Sequence, residues 1–338
     1  MDVDALVPND PRVEHKFLSV GDYTYHFLLA NPEGEVKDTI VLAHGWPDLG
    51  MGWRYQVPYL VSLGLKVIVP DMLGYGQTSA PESPDEYTMK KMASHIATII
   101  KANANQPVIL GGHDWGAALV WKVTMYYPDL IRATFGFCGP YLLAPPDVTP
   151  LEEIFRDYPN FRYQLSIVAG AVEAAIGDSP EKLASFVNGA LDGTTPEGEP
   201  LFDPQNGIHT NRLTRIGASP LLDQTMLDYY VQEHSRHGLR GPCNWYRAHE
   251  LNSIDELVFF KDHADFKFKI PAMIIMAKND EYVPPSLADG MENYFSAGLK
   301  KGVIDSKHWV IIEKPEESNK YIGDFIASVL GEKLLPRA

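Results

Sequence analysis

Apolar and polar residues follow two different periods along the chain. Short, largely apolar runs predict buried strands, and these runs are residues 39–43, 66–70, 108–110, 131–138 and 270–277. Longer segments predict helices packed on one face, and these are residues 53–63, 87–101, 116–127 and 317–330. Because strands that alternate with helices form parallel sheets, the pattern predicts a mostly parallel central sheet flanked by helices.

The two ends of this sheet have their own signals. Residues 16–20 and 23–29 alternate apolar and polar side chains on either side of Gly21-Asp22. This arrangement predicts an antiparallel hairpin that opens the sheet. Residues 302–305 predict its last strand.

The middle of the chain breaks the alternation of strands and helices. Residues 140–268 begin with a proline-rich stretch and continue as helices and loops. We therefore predict an α/β core formed by residues 1–139 and 269–338, with an inserted helical lid over residues 140–268. Within this lid, His234 and His237 lie three residues apart without a third ligand, so we expect solvated helix residues and no metal site.

Composition and charge exclude several classes of protein. The chain has 338 residues, of which 45% are hydrophobic, enough for a sizeable core. Its net charge of −15 and its lack of a basic run argue against nucleic acid as a partner. Cys138 and Cys243 are too few for a disulfide framework. The chain also has no signal-peptide pattern and no run of membrane-spanning length. We expect a cytoplasmic protein without membrane insertion.

The strand ending at Leu110 leads into the candidate catalytic turn, Gly112-His-Asp-Trp-Gly116. A sharp turn from strand to helix needs small flanking residues, and its central residue is the nucleophile in hydrolases with this motif. Here the centre is Asp114, whose carboxylate is ionised at neutral pH and needs no base in order to attack. Its covalent intermediate would be an alkyl ester, which predicts a substrate with an electrophilic sp3 carbon. Alone, Asp114 also fits a helix cap.

A second loop, His44-Gly-Trp-Pro47, follows the strand at residues 39–43. Gly45 allows a tight backbone turn, while Pro47 fixes the chain and removes one donor. The backbone amides of Trp46 and Trp115 are therefore candidates for an oxyanion hole. By itself the loop equally fits a simple turn at the end of a strand.

Two further polar residues complete a catalytic order. Asp280 and His308 each follow an apolar strand, so Asp114, Asp280 and His308 occur as nucleophile, acid and histidine. This is the chain order of α/β-hydrolases. We predict His308 as general base and Asp280 as the residue that orients it. The glycine-rich loop at residues 71–79 lacks the third glycine and the downstream acid of a dinucleotide site, so no cofactor is expected.

From about residue 15 onward, the chain resembles the soluble epoxide hydrolases of the α/β-hydrolase superfamily. The matching stretches are His44-Gly-Trp-Pro47, Gly74-Tyr-Gly-Gln-Thr-Ser-Ala-Pro81, Gly112-His-Asp-Trp-Gly116, Tyr163-Gln-Leu165, Gly241-Pro-Cys-Asn-Trp-Tyr-Arg247 and His308-Trp309. The stretches at 163–165 and 241–247 are the specific ones, because related dehalogenases also have Asp-Trp at the catalytic turn. Ala117 stands where the family more often has a second glycine.

This resemblance implies a hydrolase acting on ether bonds, which converts hydrophobic epoxides and water to vicinal diols. It implies that Tyr163 and Tyr246 project from the lid and donate protons to the epoxide oxygen, because an alkoxide is a basic leaving group. The sequence does not distinguish Tyr163 from the nearby Tyr158 in this role. Aromatic walls for the substrate are expected, and their candidates are Trp46, Trp115, Phe137 and Trp245.

Two alternative functions stay open at this point. A haloalkane or haloacid dehalogenase would share the aspartate, its tryptophan and the acid–histidine pair, but a halide needs no proton donor. A ligand receptor on the hydrolase fold would bind without turnover. The physiological epoxide is also open, since detoxification and the processing of an internal lipid or metabolite fit equally. A homodimer formed through the lid rests on the resemblance alone.

Overall fold

The computed structural model describes residues 3–143, 145 and 147–331. Its strands are β1 Glu14–Val20, β2 Tyr23–Ala30, β3 Asp38–Ala43, β4 Leu65–Pro70, β5 Val108–His113, β6 Ile131–Phe137, β7 Phe202–Asp203, β8 Gly207–Ile208, β9 Ala272–Ala277 and β10 Leu299–Ile304. Eight of them form one sheet in the order β1-β2-β4-β3-β5-β6-β9-β10, and β7 and β8 pair separately.

The large sheet is antiparallel at one end and parallel elsewhere. Strand β1 runs antiparallel to β2, with Val20 opposite Tyr23, so the chain turns at Gly21 and Asp22. Strand β2 is also antiparallel to β4, and the remaining neighbours are parallel. The predicted opening hairpin and the predicted mostly parallel sheet are both confirmed.

Helices follow many of the strands along the chain. They are α1 Gln56–Ser62, α2 Met89–Asn103, α3 Trp115–Tyr126, α4 Leu151–Asp157, α5 Tyr163–Val168, α6 Ala171–Ile176, α7 Pro180–Ala190, α8 Gln224–Ser235, α9 Arg240–Arg247, α10 His249–Asp262, α11 Val310–Glu313 and α12 Pro315–Leu330. Short 3₁₀ helices lie at Gly50–Trp53, Pro84–Tyr87, Pro128–Leu130, Pro159–Phe161, Thr210–Arg215, Pro285–Ala288 and Met291–Tyr294. None of the described helices combines the length and the apolar content needed to cross a bilayer.

The chain divides into two compact units. The sheet unit comprises residues 1–72, 89–143 and 263–338, and the helical unit comprises residues 73–88 and 144–262. The helical unit thus includes residues 73–79 of the glycine-rich loop that follows β4, in addition to the middle of the chain. Residues 1, 2, 144, 146 and 332–338, which belong to the predicted core and lid segments, lie outside the described residues. That the helical unit acts as a lid stays a prediction.

The core of the sheet unit lies along its central strands. Every residue of β5 is buried, and Ile40, Val41 and Leu42 of β3 have no exposed surface. Strands of a parallel sheet are covered on both faces, which explains why these segments are largely apolar. The outermost strand differs, because β10 exposes Lys300 and Lys301 at the edge of the sheet. The prediction placed this strand only from residue 302, because Lys300 and Lys301 interrupt its apolar pattern.

Two expectations for other segments need correction. The helix predicted from residue 53 begins at Gln56, because residues Gly50–Trp53 form a 3₁₀ turn. His234 is 2% exposed, and its ring contacts those of Tyr75 and Tyr230. The expectation that it is solvated was wrong, since residues four apart on α8 share a face and that face is buried. His237 follows the end of α8 and is exposed, as expected.

Candidate active site

Asp114 occupies the turn between β5 and α3. Its backbone has φ 54° and ψ −123°, a conformation that costs a non-glycine residue about 1–3 kcal/mol. Its amide donates to the carbonyl of Phe137 over 2.9 Å, which attaches the turn to the end of β6. The side chain is 12% exposed. Neighbouring structure therefore imposes a strained backbone that presents the Asp114 carboxylate beyond the end of the sheet.

Glycines around this turn permit close approach of three backbone segments. A Cβ atom on Gly116 would lie 2.2 Å from the carbonyl oxygen of Ala43, and one on Gly112 would lie 2.3 Å from that of Gly116. On Gly45 it would lie 2.5 Å from the Asp114 side chain. These distances are far below van der Waals contact. The predicted reason for the small residues, crowding at the turn, is thus visible at each position.

The loop after β3 reaches the same carboxylate. The Trp46 amide donates to Asp114 Oδ1 over 2.8 Å, and the peptide bond from Trp46 to Pro47 is cis. His44 orients this loop from within the core: its Nδ1 donates to the Gly45 carbonyl over 3.0 Å, and its Nε2 accepts from the Met72 amide over 3.0 Å. Burial lowers the pKa of His44, so its imidazole is neutral with the proton on Nδ1.

The structure brings Asp114, Asp280 and His308 together. His308 Nδ1 lies 2.6 Å from Asp280 Oδ2, and its Nε2 lies 3.5 Å from Asp114 Oδ2. The other oxygen of Asp280 accepts from the amides of Tyr282 and Val283, each over 2.9 Å. Asp280 is therefore fixed by backbone donors and in turn fixes the imidazole, with Nε2 directed to the nucleophile.

The two carboxylates dominate the electrostatics of this histidine. Burial alone would lower the pKa of His308, but the charge of Asp280 and the hydrogen bonds to both carboxylates hold it well above its usual value. Burial would also raise the pKa of Asp280, yet the charge and hydrogen bond of His308 and the two amides lower it. Before any reaction, the site thus favours an ionised Asp280 beside a protonated His308.

His113 contributes to the site although the sequence analysis assigned it no role. Its Nε2 donates to the backbone carbonyl of His308 over 2.9 Å, and the two rings lie 4.9 Å apart. Burial, and then the charge on His308, lower the pKa of His113 to about 4. A neutral His113 therefore holds the catalytic loop without adding charge to it. Its position beside Asp114 in the motif was the one available signal.

A second unassigned pair supports the loop after β3. Asp71 accepts from the Gly50 amide over 3.3 Å, and His26 Nδ1 donates to its other oxygen over 2.7 Å. Both side chains are buried. Nothing in the local sequence indicates this contact, because His26 lies on β2 and Asp71 follows β4.

One group of side chains among the described residues brings potential metal ligands together. Atoms of His113, Cys138 and His308 lie within 4.8 Å of one another. Both nitrogens of His308 already face carboxylates, and His113 Nε2 is used by a carbonyl. Burial and the nearby Asp280 raise the pKa of the Cys138 thiol, which opposes the thiolate a metal would need. The arrangement favours an acid–base site over a metal site.

The helical unit brings the two predicted tyrosines together. The rings of Tyr163, the first residue of α5, and Tyr246, in the last turn of α9, meet edge to face with centroids 6.2 Å apart and planes at 78°. Both side chains are buried. Tyr158 instead is 42% exposed and stacks on Phe161. Tyr163 rather than Tyr158 thus forms the pair with Tyr246, and its catalytic role stays a prediction.

The predicted aromatic walls lie in different surroundings. Trp46 and Trp115 adjoin Asp114 in space or in sequence, and Trp115 is partly exposed. Phe137 is fully buried against Trp53. Trp245 belongs to the helical unit, is 1% exposed and donates from Nε1 to the Leu73 carbonyl over 3.0 Å. Their contact with a substrate, and the use of the Trp115 amide as an oxyanion donor, remain predictions.

Comparison with known proteins gives one consistent picture. The α/β-hydrolase fold family matches residues 38–315. A protein named epoxide hydrolase srdG, from Neurospora crassa, is 48% identical, and the match covers 98% of this chain and 100% of that protein. The bifunctional epoxide hydrolase 2 of Sus scrofa is 31% identical over 85% of this chain, which spans 51% of its length.

Solved structures agree with the sequence relatives. A crystal structure of an epoxide hydrolase from Vigna radiata has a TM-score of 0.78 at 26% identity, covering 94% of this chain and 98% of that one. An epoxide hydrolase from potato (Solanum tuberosum) has a TM-score of 0.77 at 26% identity, covering 94% and 99%. The predicted α/β-hydrolase fold is confirmed by these matches and by the topology of the sheet.

Proposed function

Because the chain belongs to the epoxide hydrolases of the α/β-hydrolase fold family, we propose that it hydrolyses hydrophobic epoxides to vicinal diols through an ester on Asp114. The observation that supports this most strongly is a carboxylate, rather than a hydroxyl, at the strained turn between β5 and α3. A carboxylate nucleophile forms a stable alkyl ester from an epoxide, whereas from an ester substrate it would form an anhydride. The two protein groups that a carboxylate ester needs for its hydrolysis, a base and an oxyanion donor, lie beside it.

In the first step, one oxygen of Asp114 attacks an epoxide carbon and the carbon–oxygen bond of the ring breaks. The leaving oxygen takes a proton from one of the two phenols, Tyr163 or Tyr246. Without them, water would have to supply this proton. The Trp46 amide donates to Asp114 Oδ1, so the other oxygen, Oδ2, is the nucleophile that this geometry favours. The product of this step is a hydroxyalkyl ester.

In the second step, His308 removes a proton from water and the resulting hydroxide attacks the ester carbonyl. The oxyanion forms on Oδ1, where the Trp46 amide already donates, and the Trp115 amide is the second proposed donor. Collapse of this intermediate releases the diol, whose oxygen recovers the proton from His308. The Asp114 carboxylic acid then ionises and the phenol that lost its proton regains one from solvent, so the cycle consumes one water.

Esterification itself prepares His308 for the second step. Two carboxylates raise the pKa of this histidine in the free enzyme, and one of them is Asp114. Once Asp114 is a neutral ester, its contribution to that support is gone, so the pKa of His308 falls and the imidazolium loses its proton to solvent. The neutral imidazole can then act as a base, and it is protonated again once Asp114 is ionised. The base is thereby released only after the intermediate exists.

The test uses an aryl-substituted epoxide with wild type, Asp114→Ala and His308→Gln. Wild type should form diol, and Asp114→Ala should form none. His308→Gln should gain the mass of one epoxide per chain, because attack proceeds while ester hydrolysis slows by on the order of 100-fold or more. Intact-protein mass spectrometry after rapid quenching measures this adduct. Diol formation by Asp114→Ala, or no adduct on His308→Gln, would refute the mechanism.

The proposal extends to location and assembly. A cytoplasmic location is supported by Cys138 and Cys243, which are both buried as free thiols. A homodimer is supported by family resemblance alone, and light scattering on the purified chain decides between it and a monomer.

A further inference from the structure

We propose that Arg247 is a positioning residue, which holds Tyr163 and Tyr246 at a fixed separation so that both phenols reach one epoxide oxygen. The inference rests on the proposed function, because it gives those two phenols their role. It concerns the next residue after Tyr246, at the end of α9. All the contacts that carry it lie inside the helical unit.

The Arg247 guanidinium joins α9 to the end of the helix that begins with Tyr163. Its Nε donates to the Val168 carbonyl over 3.2 Å, and its Nη2 donates to the Ile167 carbonyl over 3.2 Å. Val168 is the last residue of α5. The final carbonyls of a helix have no partner within the helix and carry partial negative charge. The guanidinium therefore compensates that charge and ties α5 to α9.

Two further side chains orient the guanidinium. Glu173 Oε1, in the first turn of α6, accepts from Nη2 over 2.6 Å, and Asn244 Oδ1 accepts from Nη1 over 3.0 Å. The side chains of Arg247 and Glu173 are 18% and 25% exposed. An ion pair that is largely shielded from water and shares its cation with three other acceptors is more restrictive than an exposed pair. Helices α5, α6 and α9 thus meet at one cation.

Helix α9 is itself anchored next to Tyr246. Asn244 Nδ2 donates to the Glu82 carbonyl over 3.0 Å, and Trp245 Nε1 donates to the Leu73 carbonyl over 3.0 Å. At the other end of α5, the Tyr163 amide donates to the Pro204 carbonyl over 2.8 Å. The backbone near each tyrosine is therefore held locally, and Arg247 supplies a direct link between the two helices.

Ring opening is sensitive to this link because two donors must converge on one oxygen. Hydrogen bonds weaken steeply when distance and angle depart from the optimum, and a displacement near 1 Å can cost about 100-fold in rate. Ester hydrolysis uses His308 and water, and it does not need both phenols. A change at Arg247 should therefore slow the first step selectively. Lysine has no planar fork of donors, so it should restore little of the effect.

The experiment measures both steps by single-turnover rapid quench with an aryl-substituted epoxide. Arg247→Met should lower the rate constant for ester formation by about 10-fold or more, while the rate constant for ester hydrolysis changes less than about 2-fold. Arg247→Lys should lie close to Arg247→Met. Glu173→Gln keeps the shape of the side chain and its hydrogen-bond acceptor but removes the ion pair with Arg247. It should therefore show a smaller loss in the same step.

Arg212→Met is the matched control. Arg212 lies in the same unit, its side chain is 20% exposed, and it donates to Glu199 Oε1 over 3.0 Å and to the Pro200 carbonyl over 2.8 Å. Losing it should cost similar folding stability but leave ester formation unchanged. In a Tyr163→Phe background, Arg247→Met should add less than about 2-fold, because its effect passes through that phenol.

Equal slowing of both steps, an equal effect of Arg212→Met, or a full effect of Arg247→Met in the Tyr163→Phe background would overturn the inference. If Arg247→Met does not fold, Arg247→Lys and Glu173→Gln decide by the same criteria. Failure of the proposed function looks different, since wild type and Arg212→Met would then form neither ester nor diol.

Discussion

At the scale of single residues, three histidines near the nucleophile have different charges for identifiable reasons. His308 faces two carboxylates and has a raised pKa, whereas His44 and His113 are buried beside backbone groups and have lowered ones. Burial acts on all three, so the carboxylates make the difference. Of these three histidines, His308 is therefore the one that carries a proton before the reaction, and it is also the one that must later act as a base.

The low pKa of His113 should be visible as pH-dependent stability. The unfolded chain binds a proton at His113 near pH 6.5, while the folded protein does so only near pH 4. Between these values the unfolded state holds more protons, so stability is complete above pH 6.5 and falls as the pH drops towards 4. The expected loss from this residue is about 2 kcal/mol by pH 5.

Urea unfolding of wild type and His113→Gln at pH 7.5 and pH 5 measures this loss. Glutamine keeps a donor near the His308 carbonyl but cannot be protonated. The fall in the free energy of unfolding should therefore be about 2 kcal/mol smaller for His113→Gln than for wild type. Equal falls would show that burial does not keep His113 neutral.

At the scale of elements, the turn from β5 to α3 stores strain at the residue that reacts. Neighbouring strands and helices impose a positive φ on Asp114, through the hydrogen bond of its amide to Phe137 and the packing of Gly112 and Gly116. Glycine adopts such a backbone without the steric cost of a Cβ atom. The same turn would be more stable with glycine at its centre, at the expense of the nucleophile.

The comparison of Asp114→Gly with Asp114→Ala isolates this strain. Both variants remove the carboxylate, but only glycine relaxes the backbone. Asp114→Gly should be more stable by about 1 kcal/mol, even though glycine also makes the unfolded chain more flexible. Thermal unfolding with the same buffer and scan rate measures the difference, and a more stable Asp114→Ala would contradict it.

The helical unit shows how element-scale packing alters an interpretation made from sequence. From the sequence alone, the segment that carries His234 and His237 looks like an exposed helix with two solvated histidines. Packing buries the face that carries Tyr230 and His234 and leaves His237 outside. A pattern of polar and apolar residues does not distinguish a buried histidine among aromatic rings from an exposed one.

At the scale of the whole molecule, the net charge of −15 creates a negative potential that an approaching substrate meets. A neutral epoxide is unaffected by this potential, while an epoxide that carries a carboxylate is repelled. Salt screens the repulsion, since the Debye length falls from about 30 Å at 0.01 M to about 8 Å at 0.15 M. Charge should therefore influence which epoxides the enzyme uses at low ionic strength.

Steady-state kinetics at these two ionic strengths tests the effect. For a fatty-acid epoxide, kcat/KM should rise about 3-fold as salt increases, in line with screened long-range repulsion. For an uncharged aryl epoxide of similar reactivity, it should change by less than about 1.5-fold. A fall with salt for the anionic substrate, or the same change for both, would argue against whole-molecule charge as the cause.

Local patterns in the sequence determined the strands, the helices between them and the candidate triad. Burial on both faces makes central strands largely apolar, and parallel strands end at one edge of a sheet. Asp114, Asp280 and His308 each follow a parallel strand, so their meeting could be predicted before their distances were known. The hairpin at Gly21 and Asp22 was equally local.

Tertiary structure alone decided the contacts that tune these residues. His113 bonds a carbonyl 195 positions away, His44 a backbone amide 28 positions away, and Arg247 a carbonyl 80 positions away. Periodicity reports which face of an element is buried, but a polar partner is selected by how distant segments pack. For that reason the sequence determined which residues can react, whereas the fold decided their charge, their strain and their alignment.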